Sequence, residues 1–191
     1  MNIIVFDIET KNTFDQVESN DPLKLDISLV GIYDYASDKY ETFLEEDFPK
    51  LWKYIEQADM LVGYNSDYFD IPILNKYYSG DISKIKSLDL MGEIKKTLGR
   101  RIGLGNVAEA TLSHGKSGNG LDAITWWKNG EIEKIKKYCI QDVQVTKKLY
   151  EYMLKDKTVK YKDGNDIKEI KIDTTGWEEK KDAGMTWSLP F

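Results

Sequence analysis

The chain has 191 residues, enough for one domain with a full buried core. Hydrophobic residues at 41% and charged residues at 31% exclude a disordered or fibrous protein. The net charge of −6 excludes a broadly basic surface, and the single cysteine, Cys139, excludes an internal disulfide. No apolar run approaches the ~20 residues of a membrane span. Ile3–Phe6 meets Asp7 too soon to be a signal-peptide core, so the expectation is a cytoplasmic protein with no membrane association.

Residues 2–10 are apolar and rich in branched side chains, and read as a core strand. Residues 27–35 and 39–44 read as two more strands joined by the turn Ala36–Ser37–Asp38. A helix is expected from about Asp47 to Gln57, with Pro49 in its first turn. Met60–Tyr64 follows as a strand, then a helix from Asp70 that stops at Gly80. Residues 87–98 and 104–112 read as helices, and the Gly- and Ser-rich stretch 113–120 as a loop. A helix over 121–128 and a long one over 131–154 complete a domain spanning 1–155. Residues 156–191 form a separate segment, with a β-hairpin signal around Asp163–Gly164–Asn165 and a tail carrying Trp177 and Trp187. Strands first, then alternation, then helices, suggest an α/β fold with a mixed sheet flanked by helices.

Three features carry chemistry. Side chains alternate along a strand, so Asp7 and Glu9 project from the same face as Ile3 and Val5. Two carboxylates ~7 Å apart repel by roughly 2–3 kcal/mol at an effective dielectric of ~20, which a cation between them would relieve. A strand end that has reached solvent explains the pair equally well. Asp70 opens a helix after a strand, where its ordinary role is an N-cap. Asp142 is more telling. It interrupts the apolar stripe Ile135, Cys139, Val145, Leu149 and Met153 of the long helix, one turn after Tyr138. A buried carboxylate must be paired, metal-bound or protonated. Together the four carry a charge that two divalent cations neutralise. Oxygen donors suit Mg²⁺ or Mn²⁺, whereas zinc calls for the His and Cys that this chain nearly lacks.

These residues resemble the motifs of the DEDDy branch of the DnaQ-like 3′–5′ exonucleases, within the ribonuclease H-like superfamily. The exonuclease domain of family B DNA polymerases is the nearest likeness. Phe6–Thr10 matches the first motif, FDIET. Gly63–Asp70 matches GYN-x-x-x-FD, and Tyr138–Asp142 matches YC-x-x-D. The resemblance implies a ribonuclease H-like fold with a mixed five-stranded sheet, and two divalent cations, Mg²⁺ or Mn²⁺. Asp7, Glu9 and Asp142 would bind one metal, and Asp7 also the second. Asp70 would act largely through metal-bound water, and Tyr138 would orient the attacking water. Thr10, Asn65 and Phe69 match positions that contact a single-stranded 3′ end, and Lys116 is a candidate for a phosphate. The histidine of the sister branch would fall at Lys137, so His114 is given no catalytic role.

The resemblance covers residues 1 to 155. No polymerase domain follows, so proofreading would act in trans, in association with a polymerase or repair protein. The hairpin is left with three roles: extending the sheet, covering the cleft or binding a partner. The implied function is removal of nucleotides from single-stranded DNA 3′ ends by two-metal-ion hydrolysis. The alternatives are an exoribonuclease of the same mechanism, or a nucleic-acid-binding module without activity. Retention of all four carboxylates and the tyrosine favours the enzyme.

Overall fold

The structure is a computed structural model and describes residues 1–113 and 120–179. Its centre is a mixed five-stranded sheet in the order β3-β2-β1-β4-β5. The strands are β1 (Ile3–Thr10), β2 (Ile27–Asp34), β3 (Lys39–Phe43), β4 (Met60–Gly63) and β5 (Lys86–Asp89). β1 runs antiparallel to β2 and parallel to β4. Around them pack α1 (Phe48–Gln57), α2 (Asp70–Asn75), α3 (Leu90–Leu98), α4 (Leu104–Leu112), α5 (Gly120–Lys128) and α6 (Ile132–Asp156).

Alternation along β1 divides the core. Ile3 and Val5 pack with Val143, Leu149 and Met153 of α6, while Ile4, Phe6 and Ile8 pack with Leu51 and Ile55 of α1 and Ile73 of α2. Asp7 therefore faces α6. Opposite it in register on β2 stands Gly31, where an added Cβ would lie 2.7 Å from Cys139 Sγ. That glycine lets α6 lie close against the sheet.

Two elements differ from the sequence expectation. The stretch read as one helix from residue 87 begins instead as β5, the fifth strand of the sheet. A four-residue strand that runs directly into a helix has too few residues to show its own period. Its last residue, Asp89, caps α3, its carboxylate accepting from the amides of Met91 and Gly92. The helix at Asp70 is also shorter than expected, ending at Asn75.

The C-terminal hairpin forms as expected, from β6 (Thr158–Asp163) and β7 (Asp166–Lys171), with Gly164 at φ 65° in the turn. It is a sheet of its own and does not extend the main one. One edge of β6 is paired by a helix instead of a strand. Asn106 of α4 exchanges hydrogen bonds with the backbone of Lys162 (2.7 and 3.0 Å), and Thr111 does the same with Lys160 (3.0 and 2.9 Å). Beyond the hairpin, Trp177 is buried and stacks on Tyr150 of α6 with ring centroids 6.1 Å apart. Lys86 donates to the carbonyls of Gly176 and Glu179, tying this segment to β5.

Candidate active site

The cleft arises where β1 outruns its parallel neighbour. β4 pairs with β1 only at Ile3–Val5, so the far half of β1 lacks a strand on that side. The carboxyl ends of parallel strands in open α/β sheets are where ligands bind. Here the gap opens into a cleft of about 360 Å³. Among its lining residues are Asp7, Glu9, Thr10, Asn65, Phe69, Asp70, Tyr138 and Asp142. Eight of the nine residues singled out from sequence thus border one cavity. The ninth, Lys116, lies outside the described residues, as does His114.

Each side chain reaches the cleft from a different support. Asp7 and Glu9 come from β1. Tyr138 and Asp142 come from the middle of α6, both almost wholly buried. Asp70 opens α2 without capping it in the ordinary way. Its carboxylate crosses the gap and accepts the Ile8 amide at 3.1 Å, an amide on the stretch of β1 beyond its pairing with β4. This bond adds a polar tie to the packing of α2 against β1.

The electrostatics follow from this crowding. Burial, and after it the charges of Asp89 and Asp142, push the Asp70 carboxyl up to about 7, although backbone amides that donate to it pull the other way. Cys139 Sγ sits 3.6 Å from Asp7 Oδ2, and a ligand atom of each of Asp7, Glu9 and Cys139 lies within 4.8 Å of the others. Burial, together with the charges of Asp7, Glu9 and Asp142, drives the thiol well above its usual range. Cys139 therefore stays protonated, and the donors on offer are carboxylate oxygens. Such a set fits a hard divalent cation better than a soft one.

Two residues that the sequence reading did not single out support the site. Asp89 accepts the Asn65 amide at 2.7 Å and the Asp67 amide at 3.3 Å, besides capping α3. It thereby holds Asn65 in the left-handed region at φ 64°, a conformation that asparagine tolerates better than most residues. Trp126 of α5 packs edge-on against Tyr138, with ring centroids 5.9 Å apart. Asp89 was open to recognition as an N-cap ahead of an apolar helix. Its bond to Asn65 spans 24 residues and leaves no local signal.

A mixed five-stranded sheet flanked by helices, with acidic side chains from β1, α2 and α6 lining one cleft, places the chain among the α/β folds. A family model described as the RNase_H superfamily matches residues 4–154, and the chain belongs to that superfamily. Among solved structures it is similar to the family B DNA polymerase of the hyperthermophilic archaeon Pyrobaculum calidifontis, with a TM-score of 0.61 and 19% identity. The match covers 81% of this chain and 24% of the polymerase chain, so this chain spans about a quarter of that protein, and the likeness is one of fold. No curated protein matches.

Proposed function

We propose that the chain is a DEDDy-type 3′–5′ exonuclease that removes nucleotides from the 3′ end of single-stranded DNA by two-metal-ion phosphodiester hydrolysis. The observation that carries this reading is the convergence of Asp7, Glu9, Asp70, Asp142 and Tyr138 from three elements on one cleft. Asp7, Glu9 and Asp142 would hold one cation, Asp7 also the second, and Asp70 would act largely through water. A divalent cation held there, Mg²⁺ or Mn²⁺, would supply activation of the attacking water and neutralisation of charge on the phosphate.

The chain's own residues supply the rest. Tyr138 orients the water by a hydrogen bond; a phenol with an ordinary pKa of ~10 is a poor base near neutrality. Trp126 packs edge-on against its ring and restricts the ring's rotation. Asn65, held by Asp89, and Thr10 offer hydrogen bonds to the terminal nucleotide, and Phe69 an apolar wall. Lys116 remains the candidate for a phosphate contact. The polymerase likeness supports a further proposal, that the chain works beside a polymerase or repair protein.

The test is degradation of 5′-labelled single-stranded DNA and RNA in Mg²⁺, Mn²⁺ or EDTA. A metal-dependent ladder shortening from the 3′ end, stronger on DNA, is the expected result. Equal or faster loss of RNA would reassign the substrate, and internal cuts would overturn the exonuclease. No degradation of either substrate by folded protein would leave a binding module.

A further inference from the structure

The loop that brings Asn65, Phe69 and Asp70 to the cleft also carries Tyr68, a residue that is 46% exposed. An exposed aromatic is ordinary when its backbone is free to move, but this one is held on both sides. Before it, the Asp67 amide donates to Asp89, and the Asp67 carboxylate accepts the Ser87 hydroxyl at 2.5 Å. After it, Phe69 packs edge-on against Phe14, both rings lining the cleft.

Over the ring lies the Arg101 guanidinium, 4.7 Å from the centroid. Arg101 is anchored in the same manner. Its neighbour Ile102 is buried and accepts at its carbonyl the hydroxyl of Tyr64, at 2.7 Å, and Tyr64 is itself a cleft-wall residue. A flat aromatic and a planar cation come together from loops far apart in sequence, Tyr68 next to the cleft-wall residue Phe69 and Arg101 next to Ile102, which is bonded to the cleft-wall residue Tyr64. Their outer faces are left to solvent.

Resting on the proposed function, we propose that Tyr68 and Arg101 form a stacking platform for single-stranded nucleic acid, taking a base 5′ of the nucleotide to be removed. Every base has a π-face, so such a platform is tolerant of sequence. The guanidinium adds attraction for the neighbouring phosphate in a chain whose net charge is −6. This suits an enzyme that must hold the strand while its terminal residue changes at each step.

The experiment measures affinity of the full chain for 5′-fluorescein-labelled thymidine dinucleotide and hexanucleotide, by anisotropy, with Ca²⁺ in place of Mg²⁺. In the wild type, affinity rises from dinucleotide to hexanucleotide. In Tyr68→Ala that gain falls by about tenfold, the scale of one stacked base. Tyr68→Trp keeps the gain, which separates stacking from a merely structural role. Arg101→Ala reduces it less and flattens its salt dependence. Tyr40→Ala, a half-exposed tyrosine on β3, serves as a control and leaves the gain intact.

A gain unaltered in Tyr68→Ala overturns the platform, as does the absence of any gain in the wild type. Hydrolysis of the same hexanucleotide by wild type in Mg²⁺ is read separately. If it occurs while Tyr68→Ala binds normally, the platform fails and the exonuclease reading survives. If it does not occur while Tyr68→Ala loses the gain, the platform stands and the exonuclease reading fails.

Discussion

Around the C-terminal hairpin, carboxylates stand beside bases. Asp163 meets Arg100 at 3.0 Å and also Lys168, Glu169 meets Lys160 at 3.9 Å, and Glu109 of α4 meets Lys162. In the cleft, Asp7 and Glu9 from β1, Asp70 from α2 and Asp142 from α6 line one cavity. The first pattern belongs to a solvated surface, where ion pairs add little to stability. The second draws acidic side chains from three elements to one cavity, with Glu9, Asp70 and Asp142 buried, where each costs desolvation on folding. The cleft is where substitutions should change activity far more than stability, and the hairpin pairs should change neither.

The largest effect is expected at the carboxylates. Asp7→Ala or Asp142→Ala should lower the rate of DNA degradation by on the order of a thousandfold or more, while each variant stays folded by circular dichroism. A loss under tenfold would place the chemistry elsewhere.

Gly31→Ala comes next. Its methyl would meet Cys139 Sγ and push α6 from the sheet, at a cost of about 1–3 kcal/mol in denaturant unfolding, with loss of activity through misplacement of Tyr138 and Asp142. Wild-type stability would mean that α6 shifts freely, and that its close approach does not position the site.

A pH profile sharpens the comparison further. Asp70 is raised from 3.8 to about 7 by burial and like charge. Below its unfolded pKa the group is protonated whether folded or not. Between that pH and about 7 the unfolded chain releases a proton that the folded chain retains, so stability falls as pH rises. In EDTA the melting temperature should therefore be lower at pH ~8 than at pH ~5.5, and Asp70→Asn should flatten that dependence. The smallest effect belongs to the hairpin: Glu109→Gln should leave both melting temperature and activity at wild-type values.

The parts of this molecule legible in its sequence are those whose signal is local. The β1 run into Asp7 and Glu9, the turn at Gly164, and a carboxylate inside the apolar stripe of α6 each announce themselves within a few residues. What escaped depends on contacts distant in sequence. β5 is a strand because β4 lies beside it, not because Lys86–Asp89 has a period of its own. Asp70 would pass for an N-cap until the unmatched far half of β1 gives it the Ile8 amide to hold. Asp89 reads as a cap, and is one, yet its bond to Asn65 appears only once β5 places it behind the cleft. The last described residues gave no pattern, because Trp177 is ordered by Tyr150 of α6 rather than by its neighbours.

The claim at the centre of this account is that the four clustered carboxylates are a cation site. It is tested most directly by counting Mn²⁺ bound per chain, from the paramagnetic resonance signal of the free ion, in wild type and in Asp7→Asn. The account predicts about two Mn²⁺ per wild-type chain and a loss of tight binding in the variant. A folded wild type that binds no Mn²⁺, or a variant that binds as well as wild type, would contradict it.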